Sequence, residues 1–241
     1  GSATIELGAA ETAALLASGV AQTKQSAVAD DVRDDAVTGS GTVRALFIVD
    51  DQGALQRVES HEFGGPVGVV LDESPFYAEA GGQKNDVGVI DIDGVTLQVR
   101  DVQAYAGFVL HTCVATEGTI SVSTTAQASV DAENRRRNSI NHSMTHALNW
   151  ALWTKLGDGV AQRGSDNDAE RLRFDFSHGK ALTGDELEEV EELVNGVIER
   201  DDPIQRALVP LDEAMQIESL RAVFGENYPD PVRVVAVGLG E

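Results

Sequence analysis

Between Asp131 and Leu156 the sequence holds neither glycine nor proline, and no other stretch limits the fold as strongly. Such a run predicts a helix of several turns that ends near Gly157. At about 100° per residue, His142 and His146 fall about 40° apart on one face of it. Ile140, Met144, Ala147, Leu148 and Ala151 gather on the other side. Two imidazoles at i and i+4 can present two nitrogens to one divalent metal. The same spacing also suits a polar face packed against the rest of the chain.

Before this helix the pattern is one of short strands. Val43–Val49 ends at Asp50-Asp51-Gln52-Gly53, and Pro66–Leu71 and Gly88–Ile92 follow. Asp93-Gly94 then joins Val95–Val99, a two-residue hairpin signal, and Phe108–Val114 is the next apolar run. Strands this short and this regularly punctuated predict a small antiparallel barrel over residues 42–130. Residues 1–41 read as a short helix, Ala9 to Ser18, stopped by Gly19, then an acidic connection through Ala29–Asp35 and Thr38-Gly39-Ser40-Gly41. After the helix, Arg171–Phe176 alternates like a half-buried strand. Thr183-Gly184-Asp185-Glu186 forms a capping box, followed by a stripe of Leu187, Val190, Val194, Val197 and Ile198. Arg221–Phe224 supplies a further element, and Val232–Val237 reads as a buried strand.

Net charge is −22, from 18 Lys and Arg against 40 Asp and Glu. That is the wrong sign for a free-standing RNA-binding surface, so any attraction to nucleic acid must be local or lie on other parts of a longer protein. Arg135-Arg136-Arg137 is the densest basic cluster; phosphate contact and ion pairing with the acidic surface both suit it. The single cysteine, Cys113, excludes an internal disulfide and reads as a small apolar strand residue. His61 and His111 carry no metal motif and read as structural or exposed. Nothing in the sequence argues for a membrane span or secretion, and the expected location is cytoplasmic, or organellar if a transit peptide precedes the chain.

Several longer motifs stand in a fixed order: Phe76-Tyr77-Ala78-Glu79-Ala80-Gly81-Gly82-Gln83, Asn141–Trp150, Gln162-Arg163-Gly164-Ser165, Arg171–His178, Glu191–Asn195 and Tyr228–Val235. Together they resemble the editing region of alanyl-tRNA synthetase, and less closely the free-standing alanyl-tRNA editing proteins, from about Val67 to Val237. The resemblance implies an α+β fold, a small antiparallel β-barrel followed by an α+β editing core that carries the HxxxH helix over residues 131–241.

It also implies a zinc ion, held by His142 and His146 and by a Cys and a His of a later CxxxH motif. The sequence reaches Gly240-Glu241 without that motif, so two of four expected ligands are present and the core reads as truncated. Thr145 and Gln162 take the places of residues that act on the substrate, and Tyr77, Gly81, Gly82 and Gln83 those that contact it. The implied reaction is hydrolysis of mischarged seryl- or glycyl-tRNA, impaired by the missing ligands. The implied partners are the acceptor end of tRNA(Ala) bearing the wrong amino acid and the remaining domains of a parent synthetase; ATP belongs to the parent alone. Two alternatives stand beside this, a metal-free tRNA-binding or interaction module and a free-standing trans-editing deacylase.

Overall fold

The computed structural model describes residues 5–26, 37–217, 220, 228 and 230–237. In chain order its elements are α1 (Ala9–Ala17), β1 (Lys24–Gln25), β2 (Val37–Val49), β3 (Leu55–Val58), β4 (Ser60–Glu62), β5 (Val67–Leu71) and β6 (Glu73–Ser74). Then come β7 (Gly88–Ile92), β8 (Val95–Tyr105), β9 (Phe108–Val114), β10 (Thr119–Ser121), β11 (Thr125–Val130) and α2 (Ala132–Leu156). The last are β12 (Gln162–Asn167), β13 (Leu172–Phe176), α3 (Gly184–Arg200), β14 (Ile204–Val209), α4 (Leu211–Ala214) and β15 (Val232–Val237). The class is α+β with a closed β-barrel. Contacts divide the chain into two units, Gly1–Ser143 with Ser165–Arg173, and Met144–Gly164 with Phe174–Glu241.

In the first unit the strands run in the order β11-β7-β8-β9-β5-β2, and β2 pairs back onto β11 to close the ring. The closing seam sets Val37 opposite Val130 and Thr42 opposite Thr125. Strand alternation then sorts the side chains. Val43, Leu46, Val69, Leu71, Ile90, Leu97 and Val109 belong to one buried cluster drawn from around the ring. Their neighbours Ala45, Phe47, Val70, Phe108 and Leu110 form a second cluster with Ile5, Leu7 and Leu15 of the N-terminal segment. β5 is therefore buried at every position, as a strand covered on both faces must be. Each such Val, Leu or Phe side chain contributes roughly 1.5–3 kcal/mol.

The predicted turn is present: Asp93 and Gly94 have φ of 53° and 80°, the left-handed pair that a two-residue hairpin requires. Ala106 and Gly107, with φ of 49° and 85°, make a second such turn that the sequence reading did not single out. Thr38-Gly39-Ser40-Gly41 is not a flexible connection, because these residues are the first half of β2. Gly41 is there for close packing, since a Cβ on it would meet the Glu73 carbonyl oxygen at 2.3 Å. The acidic run 29–35 lies outside the described residues, as does 221–224.

The second unit has a small core of its own: Ala151, Leu152, Val160 and Val190, with Leu148, Phe174, Phe176, Leu193 and Val194 packed around them. The Thr183 box forms as expected, Thr183 Oγ1 accepting from the Glu186 amide at 3.2 Å and the Thr183 amide donating to Glu186 Oε2 at 2.8 Å. The stripe on α3 is shorter than its periodicity suggests. Val190, Leu193 and Val194 reach the core, whereas Leu187 is 56% and Ile198 53% exposed. Likewise β15 is a strand but not a buried one: it pairs with β14 in a two-stranded sheet, and Val235 and Val237 are half exposed. Among the described residues no helix is long and apolar enough to cross a membrane.

Candidate functional site

Residues 75–86, between β6 and β7, form the loop that carries Gly81 and Gly82. Its base is closed by two bonds, from the Tyr77 amide to Asp86 Oδ2 at 2.7 Å and from the Asp86 amide to the Tyr77 carbonyl at 3.0 Å. Its tip is closed by the Ala80 and Gln83 backbones, bonded to each other at 3.0 and 3.3 Å. Between them Gly81 and Gly82 have φ of 60° and 80°, which glycine adopts without the penalty other residues incur. The tip is also docked on β12, with the Asn167 amide donating to the Gly82 carbonyl at 2.7 Å and the Lys84 amide to the Asn167 carbonyl at 2.9 Å. A Cβ on Gly82 would lie 2.2 Å from Ser165 Oγ, and one on Gly81 3.7 Å from His142 Cε1. Gly82 is thus needed for the loop to reach β12, whereas Gly81 keeps bare backbone beside His142.

The first half of α2 lies along the same loop. Arg135 and Asp86 form a buried ion pair, with Arg135 Nε donating to Asp86 Oδ2 at 3.0 Å and Nη2 to that same oxygen. Arg135 Nη2 also donates to the Pro75 carbonyl at 2.6 Å. One turn on, Asn138 Nδ2 reaches the Lys84 carbonyl at 3.4 Å, and Asn141 Nδ2 donates to the Asp168 carbonyl at 2.7 Å. Lys84 Nζ sits between Glu79 at 3.1 Å and Asp166 at 3.2 Å. Its pKa is raised, chiefly by the hydrogen bond to Glu79 and, against the cost of burial, by Asp166.

Gly81, Gly82, Gln83 and His142 come together in the first unit. Gln83 is buried, with its backbone spent on the loop. The Tyr77 hydroxyl donates to the Ala80 carbonyl at 2.9 Å, which ties it to its own loop; burial first, then the charges of Asp86 and Glu79, raise its pKa. Thr145 and His146 lie on the part of α2 that belongs to the second unit, Thr145 buried and His146 with its pKa lowered by burial. Gln162 opens β12, half-buried.

All three arginines are ion-paired: Arg135 with Asp86, and Arg136 and Arg137, both half exposed, with Glu133 at 3.0 and 2.8 Å. Those two hydrogen bonds, Arg136 first, hold the Glu133 carboxyl at a pKa of about 2. Cys113 is buried and free, and burial pushes its thiol well up.

The sequence reading missed Asp86 and Asn167, whose bonds reach across tens of residues and leave no local pattern. Arg135 did leave a signal, since it sits seven residues before His142 and so shares its helix face. Among the described residues no group of three or more His, Cys, Asp and Glu is placed to hold a metal ion. Zinc prefers four donors, and the resemblance offered only His142 and His146 for it.

The family model described as tRNA synthetases class II (A) matches residues 10–134. The alanine--tRNA ligase of Candida albicans is 49% identical over 173 residues, which is 71% of this chain and 18% of that protein. The mitochondrial alanine--tRNA ligase of Saccharomyces cerevisiae is 44% identical over 206 residues, 85% of this chain and 21% of that protein. The alanine--tRNA ligase of Schizosaccharomyces pombe is 42% identical over 213 residues, 87% and 22%. The chain spans about a fifth of the length of these relatives.

The editing assignment does not stand against these findings. The matched family description is that of the synthetases themselves, and the matched residues run from α1 through the whole barrel into the first turn of α2. That barrel is the part the resemblance treated as preceding an editing core. The similar proteins are ligases by name. The editing-core description of the fold, the deacylase activity on seryl- or glycyl-tRNA, and the alternatives of a trans-editing enzyme or a metal-free module are all withdrawn. The α+β fold with a closed barrel and the likeness to alanine--tRNA ligases remain.

Proposed function

Because the chain belongs to the class II (A) family of tRNA synthetases, we propose that it is a segment of an alanine--tRNA ligase and serves the joining of alanine to tRNA. The observation that carries this is the extent of the likeness: ligases of that name align with 71% to 91% of the chain. The loop and helix of the first unit supply the contact. Bare backbone at Gly81 beside the His142 imidazole suits the hydroxyls of a terminal ribose better than phosphates.

The arginines of α2 are ion-paired with Asp86 and Glu133, and we assign the phosphates of the tRNA, and ATP, to other parts of the ligase. Tyr77 and Gln83 are the further side chains of the first unit that we assign to the acceptor end. His142 and His146 are the pair this chain gives to a zinc ion, as two ligands of four, and no step of the ligation is routed through that ion. The test is an exchange. The segment replaces the matching stretch of the S. cerevisiae mitochondrial ligase, and alanyl-tRNA formation is measured. Charging close to the parental rate is expected, and a folded chimera that forms no alanyl-tRNA overturns the reading.

A further inference from the structure

The Asp86–Arg135 pair is costly to keep. Asp86 is fully buried and Arg135 nearly so, yet Asp86 Oδ1 and Arg135 Nη1 have no hydrogen-bond partner. A buried ion pair with part of its capacity unmet adds little to stability over an apolar pair of the same size. What it does supply is direction. One guanidinium edge fixes the Asp86 carboxylate and the Pro75 carbonyl together, and Asp86 in turn holds the Tyr77 amide. Asn138 adds the Lys84 carbonyl, so two successive turns of α2 grip both ends of the loop. The next turn brings His142 to Gly81.

We infer that Asp86 and Arg135 are positioning residues whose pairing sets His142 in register with the Gly81–Gly82 turn. This rests on the reading of that turn as the contact for the acceptor end, and the experiment below separates the two. Lysine does not reproduce Arg135, because an ammonium lacks the rigid planar fork that fixes the directions of the bonds to Asp86 and the Pro75 carbonyl. The protein is labelled at histidine and its imidazole signals are assigned by His142→Gln.

In Arg135→Lys and in Asp86→Asn, the His142 signals move or broaden while those of His61 and His111 keep their places. The double variant Asp86→Asn/Arg135→Gln, with neither charge left unpaired, brings His142 back toward its original position. A merely structural role predicts that all the signals shift together or none does. His142 unmoved in a folded Arg135→Lys protein overturns the inference, whatever the ligase assay shows. If His142 moves, charging by the chimera that carries Arg135→Lys is expected to fall on the order of ten- to a hundredfold, the usual cost of a small misplacement. Displaced signals with unchanged charging would keep the positioning role and overturn the assignment of the acceptor end to this turn.

Discussion

His111 shows how much one buried side chain can set the conditions under which the barrel stands. It is fully enclosed, its Nδ1 bonded to the Val69 carbonyl at 2.9 Å and its Nε2 to Ser74 Oγ at 2.7 Å. The carbonyl can only accept, so Nδ1 carries the proton and Nε2 receives the serine hydroxyl. Burial lowers the pKa to about 4 from 6.5. The unfolded chain therefore binds a proton that the folded one refuses, and the stability is intact above pH 6.5 and lost as the pH falls towards 4. Each unit of the shift is worth about 1.4 kcal/mol, so roughly 2 kcal/mol should disappear between pH 7 and pH 5. Urea unfolding of the native protein and of His111→Gln checks this, because the variant should lack that part of the loss.

The two loop glycines give a second comparison at this scale. Both have positive φ, costing an alanine roughly 1–2 kcal/mol, but only at Gly82 would the new methyl collide with Ser165. Gly82→Ala should lower the thermal midpoint distinctly more than Gly81→Ala. Equal losses would mean that the docking on β12 is loose.

Among the elements, those set by neighbours in sequence were legible and those set by distant partners were not. The Asp93-Gly94 hairpin, the capping box at Thr183 and the unbroken run that becomes α2 all act within a few residues. Replacing Thr183 by Ala should accordingly cost about 1 kcal/mol, measured as a shift in unfolding midpoint; no shift would leave α3 held by its packing alone. The start of β2 is different: Thr38–Gly41 looks like a linker until Ser129, Ala128, Gln127 and Ala126 are laid against it. The same holds for the site. His142 drew notice by its spacing to His146, and Gly81 and Gly82 only through the resemblance. Asp86 was not, because its partner Arg135 lies 49 residues away and nothing near Asp86 announces it. The length of the stripe on α3 could not be read either, since periodicity gives a face but not how much of it another element covers.

At the scale of the whole molecule charge is the governing quantity. A net charge of −22 repels itself in the folded chain, and salt shortens the reach of that repulsion from about 30 Å at 0.01 M to about 3 Å at 1 M. The unfolding midpoint should therefore rise with sodium chloride over that range, and a fall would show that ion pairs such as Lys84 with Glu79 and Asp166 outweigh the self-repulsion. For tRNA the expectation is the reverse of a basic protein's. The chain alone should bind no tighter than about 10⁻⁴ M, with a shallow dependence on salt. A steep slope in fluorescence anisotropy would reveal a phosphate-binding surface that the engaged arginines do not provide.

The seam that joins β2 to β11 also dictates an order of events during synthesis. Val37 cannot meet Val130 until nearly the whole barrel sequence has left the ribosome, and α2 follows two residues later. Pairings between such distant residues carry a large loop-closure cost and place folding in the slow range, on the order of milliseconds to seconds. Until the ring shuts, β2 and β11 present open edges to other nascent chains. The barrel's last strand is thus also its protection against aggregation, and Arg135, which follows it in the chain, can find Asp86 only once that strand has been made.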